Sequence, residues 1–164
     1  MPGKSFFADR SPIAETSGKV HKITTAAELE TLLSSTKHVV VDFYADWCPP
    51  CRAIAPVFSE LAENNAEPGQ LAFAKVNVDN VSNVSGRYGV SAMPTFLIFN
   101  DGAPKGVAVA DLKPRQSVIF NSTGLVERIL GADRAALQAV VRALAGPVSS
   151  GGGESGSDGK MRKE

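Results

Sequence analysis

The stretch VVVDFYADWCPPC, residues 39–51, decides the fold of this 164-residue chain. Residues 39–45 are apolar on both alternating faces apart from Asp42, and five of the seven are β-branched or aromatic, which is typical of a central strand covered on both sides. The two prolines then suit the first positions of a helix, where a backbone N–H has no intrahelical partner. The stretch therefore predicts a buried strand that leads directly into a helix, with Cys48 at the helix N-cap.

Two cysteines at the start of a helix point to redox chemistry. Free N–H groups and the helix dipole stabilise an anion, so the pKa of the Cys48 thiol is expected to fall from about 8.5 to about 7 or lower. Two intervening residues let both sulfurs meet across one turn, so Cys48 should attack a substrate disulfide and Cys51 should resolve the mixed disulfide. The alternatives are two core thiols or half a zinc site, but both histidines precede the cysteines and lie far apart.

Strands and helices alternate on either side of this stretch. Thr25, with Glu28 completing a capping box, and Asp133 are the predicted N-caps of the first and last helices. Helices between the early strands imply parallel pairing, whereas the last two strands lack a helix between them and should be antiparallel. The predicted fold class is α/β, with a central mixed sheet flanked by helices on both faces. The other predicted strands are residues 20–23, 71–79, 95–100 and 125–130, and the helices between them are residues 49–64 and 81–88.

Composition indicates how far the domain extends and which classes of partner are unfavourable. Residues 19–145 form the predicted domain, residues 1–18 a poorly ordered extension, and residues 146–164 a disordered Gly/Ser-rich charged tail. Lys plus Arg and Asp plus Glu both number 17, and this zero net charge argues against nucleic-acid or anionic-membrane partners. No apolar run approaches the roughly 18 residues of a membrane span. Because the chain start also lacks a secretory signal, we expect a cytoplasmic protein, with the mitochondrion and nucleus as alternatives.

VDFYADWCPPC, together with the later AMPTF, resembles the thioredoxin family, in which a VDFWA-type strand leads into WCGPC and a later (I/M)PT. The resemblance covers residues 20–145. It implies the thioredoxin fold and a thiol–disulfide oxidoreductase that reduces protein disulfides by dithiol–disulfide exchange. It further implies no bound cofactor or metal, electrons from NADPH through a flavoprotein thioredoxin reductase, and disulfide-containing clients as partners. We expect a monomer.

The resemblance assigns a proton acceptor inside the sheet. Asp42 occupies the position of the family's buried carboxylate, and burial in an apolar strand should raise its pKa toward neutrality. It could then take the proton of Cys51 through a water molecule. A strand aspartate that only caps a loop is the alternative. Lys75 matches the lysine that pairs with this acid, although a solvent-facing strand lysine fits the sequence almost as well.

Substrate contacts are expected around the cysteines. The resemblance implies a cis peptide bond before Pro94 and backbone pairing of Met93 with an extended substrate strand. Trp47 should offer an apolar rim beside an exposed Cys48, with a core tryptophan as the alternative. The expected substrate-binding residues are Trp47, Pro49, Pro50, Ala92, Met93 and Pro94.

The chain departs from the family pattern in two places within the domain. Pro49 stands where the family usually has glycine. Proline has no N–H that could donate to the Cys48 thiolate, and it stiffens the loop. Residues 103–123 are an insertion between the last two strands, either a lengthened hairpin or an extra edge ribbon. The insertion is the best candidate for a partner-specific feature, since function concentrates on loops. A rival hypothesis is therefore a binding module of low turnover that uses the cis-proline groove and the insertion. An oxidase or isomerase is a weaker third hypothesis, because the chain lacks an ER-retrieval ending.

Overall fold

The computed structural model describes residues 9–14 and 16–150, with the backbone alone for residues 147–150. Residues 1–8 of the predicted extension and residues 151–164 of the predicted tail lie outside the described residues. The elements in chain order are β1 (Val20–Ile23), α1 (Ala26–Ser35), β2 (His38–Tyr44), α2 (Pro49–Asn65), β3 (Leu71–Asn77), α3 (Ser82–Arg87), β4 (Thr95–Asn100), β5 (Val118–Phe120), β6 (Val126–Leu130) and α4 (Arg134–Ser150).

The strands form one mixed sheet in the order β1-β3-β2-β4-β6-β5. β3 runs parallel to both β1 and β2, whereas β4 is antiparallel to β2 and β6 is antiparallel to β4 and β5. The predicted mixed sheet is confirmed. β2 lies inside the sheet, and Val39, Val40 and Val41 are fully buried, as the apolar run on both of its faces predicts.

Helices cover both faces of the sheet, so the core has two halves. One half packs α2 and α4 on the sheet through side chains such as Phe58 and Leu137. The rings of Phe58 and Phe73 form a T-shaped pair with their centres 5.6 Å apart. The other half packs α1 and α3 through Leu29 and Val84. Each large side chain buried in this way stabilises the fold by about 1.5–3 kcal/mol.

The start of α1 follows the predicted cap with one change. The Thr25 hydroxyl accepts a hydrogen bond from the Glu28 N–H at 3.2 Å, which confirms Thr25 as the N-cap. The Glu28 carboxylate accepts from the Thr24 N–H at 2.7 Å, one residue earlier than a standard capping box places it. This hydrogen bond and a second one from the Thr24 hydroxyl lower the pKa of Glu28.

The insertion adds a sixth strand, so the extra edge ribbon is the alternative that the structure shows. β5 pairs with the outer side of β6. The chain before β5 also joins the sheet, because Gly106 N–H donates to the Ile98 carbonyl at 3.2 Å and Val107 exchanges two backbone hydrogen bonds with Val126. Gly106 has a φ of 81°, and a Cβ at this position would lie 2.3 Å from the Val126 carbonyl oxygen. Only glycine fits there without a backbone shift.

Asp133 links the insertion to α4. Its carboxylate accepts hydrogen bonds from the Ala136 N–H at 3.1 Å, from the Ser117 hydroxyl and from the Arg115 guanidinium at 2.8 Å. Burial opposes ionisation of this carboxyl, but the hydrogen bonds and the charge of Arg115 outweigh it and lower the pKa of Asp133. The hydrogen bond from the Ala136 N–H confirms the prediction that Asp133 is the N-cap of α4. Gly146, at the predicted end of that helix, has a non-helical φ of 79° within α4.

Candidate active site

The two cysteines lie at the junction of β2 and α2, where the sequence places them. They form a disulfide, with their Cα atoms 5.2 Å apart. Cys48 is the N-cap of α2, and its sulfur accepts a hydrogen bond from the Cys51 N–H at 3.2 Å. Because Pro49 and Pro50 have no N–H, the Cys51 N–H is the first backbone donor of the helix, and it points at the Cys48 sulfur.

The cysteines are more enclosed than the sequence suggests. Cys48 is 3% exposed and Cys51 is 1% exposed, so the expectation of an exposed Cys48 is wrong for the disulfide form. The physical reason is packing, since the pair forms a small apolar cluster with Tyr44 and its neighbours, against which Met93 packs. Trp47 is 39% exposed, which excludes a core tryptophan and leaves it on the rim. Pro49 and Pro50, the first two residues of α2, are exposed as well.

The segment before β4 contacts the disulfide from the opposite side. The Met93–Pro94 peptide bond is cis, as the family resemblance implies. The Met93 carbonyl oxygen lies 3.5 Å from the Cys48 sulfur, a contact in which a reduced S–H can donate. The segment is held in place because the Thr95 hydroxyl donates to the Ala92 carbonyl at 2.6 Å. Pro94 is buried, Met93 is half-buried and Ala92 is exposed.

Asp42 and Lys75 lie side by side across the parallel pair β2 and β3. Asp42 is 5% exposed and Lys75 is 7% exposed, so both alternatives that the sequence leaves open, a loop cap and a solvent-facing lysine, are excluded. The Lys75 ammonium lies 5.4 Å from the centre of the Tyr44 ring. The structure thus brings an acidic and a basic side chain, Asp42 and Lys75, together inside the sheet, below the cysteines.

A small cavity joins this acid to the disulfide. About 10 Å³ of it is open to the centre of a water molecule, which is close to the space that one water needs. Asp42 and Cys51 are on its wall together, so one bridging water could span the gap between them. The full lining consists of Ile13, Asp42, Tyr44, Cys51, Ala55, Phe58 and Lys75.

Three polar residues that the sequence analysis misses complete the site. The Trp47 indole N–H donates to the Asp79 carboxylate at 2.8 Å. Asn77 holds Asp79 in place, because the Asn77 side-chain oxygen accepts a hydrogen bond from the Asp79 N–H at 2.9 Å. The Asn77 side-chain amide N–H donates to the Asp46 carboxylate at 3.2 Å. The sequence does carry a signal, because polar residues stand at the carboxyl ends of two strands predicted to be parallel, and those ends meet at one edge of the sheet.

The site carries no group for holding a metal ion in the part of the chain that the structure describes. Among residues 9–14 and 16–150, no group of three or more His, Cys, Asp or Glu residues is arranged so that it could hold a metal ion. Within the same ranges no helix has the length and apolar character that crossing a membrane takes.

Comparisons with known proteins agree on one family. A family model described as thioredoxin matches residues 19–121, which include every predicted site residue. A thioredoxin-like protein of Fusarium culmorum is 59% identical over 90 residues, 55% of this chain and 73% of that protein. A thioredoxin of Neurospora crassa is 54% identical over 90 residues, 55% of this chain and 69% of that protein. The crystal structure of a Malassezia sympodialis thioredoxin has a TM-score of 0.57 at 28% identity and covers 80% of this chain and 97% of its own.

Proposed function

Because the chain belongs to the thioredoxin family and is a protein-disulfide oxidoreductase, we propose that Cys48 is its nucleophile, Cys51 its resolving thiol and Asp42 the acceptor of the Cys51 proton. One observation carries the assignment of the nucleophile. The first N–H of α2 is directed at the sulfur of Cys48, where it stabilises a thiolate. Cys51 is itself inside the helix and is the less exposed of the two.

The first half of the reaction opens the client disulfide. The Cys48 thiolate attacks one client sulfur, forms a mixed disulfide and expels the other client sulfur as a thiolate. In the second half Cys51 loses its proton, and its thiolate attacks the Cys48 sulfur. The Cys48–Cys51 bond forms, the bond to the client breaks, and the client leaves as a dithiol. Two electrons pass from the protein dithiol to the client.

Asp42 is the best placed group to receive the proton of Cys51. It shares the small cavity with Cys51, and burial disfavours its charged form, which makes it a stronger base than an exposed aspartate. Lys75 occupies the paired position on β3, and its positive charge opposes part of this effect of burial. The transfer through one water keeps the proton within the cavity during the attack.

Client and reductase are proposed to share one binding surface around Trp47. The exposed indole and the exposed prolines supply an apolar rim, and the Met93 backbone beside the Cys48 sulfur can pair with an extended client strand. Cys48 is nearly buried in the oxidised form, so the electron donor must approach along this rim. We propose that NADPH recharges the disulfide through a flavoprotein thioredoxin reductase, that the protein is a monomer, and that it works in the cytoplasm, a reducing compartment.

Two cysteine variants test the assignment. Cys48→Ser should abolish reduction of insulin disulfides with NADPH and thioredoxin reductase, because no thiolate is left to attack. Cys51→Ser should stop after the first half and accumulate a mixed disulfide, detected as a client adduct by mass spectrometry. Full turnover by Cys48→Ser, or adducts formed through Cys51 in the wild type, would refute the roles. Capture of partners without NADPH consumption by the wild type would favour a binding module instead.

Asp42 is tested separately through the resolving step. Asp42→Asn keeps the shape of the side chain but cannot take a proton, so resolution at neutral pH should slow by about 10–100-fold, at or below the usual contribution of general base catalysis. The chain has a single tryptophan, Trp47, next to the disulfide, and its fluorescence follows resolution in single-turnover experiments. A wild-type rate at every pH would remove Asp42 from the mechanism.

A further inference from the structure

The chain before β1 crosses the rear of the active site. We define the N-terminal strap as residues 9–14. Arg52, the residue after Cys51, fixes it to α2: its Nε donates to the Asp9 carbonyl at 3.0 Å, its Nη2 donates to the Ser11 carbonyl, and Nη2 lies 3.4 Å from the Asp9 carboxylate. The strap is thus held by the residue that directly follows the resolving cysteine.

Two further contacts hold this part of the chain against the domain. The Ile13 N–H donates to the Asp46 carboxylate at 3.2 Å, which ties the strap to the polar network beside Trp47. After the strap, the buried Ser17 hydroxyl donates to the Glu63 carboxylate at 2.8 Å, near the other end of α2. Described residues before and after Ile13 are therefore both anchored to α2, Asp9 and Ser11 near its start and Ser17 near its end.

Ile13 is the member of the strap that reaches the chemistry. Its side chain is half-buried, packs against the cluster around the cysteines, and forms one wall of the cavity that Asp42 shares with Cys51. The other walls come from β2, β3 and α2, which are inside the fold. Ile13 is the lining residue that belongs to the extension rather than to the sheet or its helices, so it covers the cavity from outside.

We propose that the N-terminal strap seals this cavity from bulk water through Ile13 and thereby sets the pH at which Asp42 titrates. In the reaction this is the pH at which Asp42 can accept the Cys51 proton, so this consequence rests on the proposed function. Ile13 is a positioning residue, because it acts through Asp42 and not on the client. The titratable groups that face Asp42 are Tyr44 on its own strand, Lys75 on β3 and Cys51 on α2, and β4 presents the apolar Phe96 at the paired position.

The physical effect has a definite sign. A carboxylate in contact with bulk water is better solvated than one behind an aliphatic wall, so opening the wall favours the charged form. Ile13→Ala removes most of that wall but keeps the backbone hydrogen bond to Asp46. We expect the titration midpoint of Asp42 to fall by about one pH unit, a fraction of the roughly 3–5 units that full burial produces.

The test follows Asp42 directly in the reduced full-length protein. Carbon-13 NMR of labelled aspartate carboxyls reports the midpoint, and loss of one signal in Asp42→Asn assigns it. Ile13→Ala should lower the midpoint by about one unit. Ile13→Leu keeps an aliphatic wall of equal size and should restore the wild-type value. Ile119→Ala, which removes the same side chain from the exposed edge strand β5, should leave the midpoint unchanged.

Each outcome bears on one of two ideas. An unchanged midpoint in Ile13→Ala, or an equal shift in Ile119→Ala, would overturn the seal. If the seal holds, the pH profile of single-turnover resolution should move with the NMR midpoint in Ile13→Ala and stay with the wild type in Ile13→Leu. If Asp42→Asn resolves with an unaltered profile, Asp42 is not the base and the proposed function fails at that step, while the NMR result still decides the seal.

Discussion

The proline at the second position of α2 limits how strongly the helix can stabilise the Cys48 thiolate. An N-cap side chain accepts hydrogen bonds from the N–H groups of the second and third helical residues. Here the third residue, Cys51, donates at 3.2 Å, but the second, Pro50, has no N–H to give. Pro50→Ala supplies that donor without adding a side chain that reaches the sulfur.

The magnitude follows from one additional hydrogen bond to a charged acceptor. Such a bond contributes about 1.5–3 kcal/mol, and each pKa unit corresponds to about 1.36 kcal/mol. Sulfur is a weak acceptor, so we use the lower end of this range and expect the pKa of Cys48 to fall by about one unit in Pro50→Ala.

The assay is the ultraviolet absorbance of the thiolate as a function of pH, measured in the Cys51→Ser background so that only one thiol titrates. Pro49→Ala is the matched control, because it also replaces an exposed proline. Although the family's glycine at this position has an N–H, Pro49 is the first residue of α2, and an N–H there does not reach the N-cap side chain. Equal pKa values for Cys48 in the two variants, or a rise in Pro50→Ala, would refute the view that the helix start controls this sulfur.

Two predictions concern stability. Gly106→Ala should lower the free energy of unfolding by at least about 1–3 kcal/mol, because the new Cβ meets the Val126 carbonyl at a positive φ; urea denaturation that matches the wild type would contradict this. Asp133→Asn should cost about 1 kcal/mol at neutral pH, because it loses the charge-assisted bonds from Ser117 and Arg115. Since these bonds lower the pKa of Asp133, their stabilisation is complete above the unfolded-state pKa and lost as pH falls through the folded-state pKa. Denaturation curves of this variant and the wild type should therefore converge as the solution is acidified below about pH 4, and a constant gap would argue against the assignment.

The strand–helix junction could be predicted from sequence because local rules agree there. A run that is apolar on both faces demands a covered strand, and two prolines after Cys48 suit the start of a helix. The position of the cysteines at the start of a helix, the N-cap at Thr25 and the mixed sheet all follow from such short-range patterns, and the structure confirms them.

The features that the sequence does not reveal depend on contacts between distant segments. β5 has three residues, which is too short for an alternating pattern, and its partner β6 decides that it is a strand. Ile13 is one large apolar side chain in a short segment without periodicity, and only its position in the cavity wall, with the strap bound by Arg52, shows that it covers the cavity. The enclosure of Cys48 arises in the same way, from packing of Met93 against it.

The central claim, that Cys48 is an ionised nucleophile at neutral pH, is tested most directly by alkylation of the reduced wild-type protein. Iodoacetamide is added over a range of pH, and mass spectrometry identifies the modified cysteine and its rate. We predict that Cys48 reacts first, with a pH midpoint well below the value of about 8.5 for a free cysteine. Modification of Cys51 first, or a midpoint for Cys48 at the ordinary value, would contradict the account.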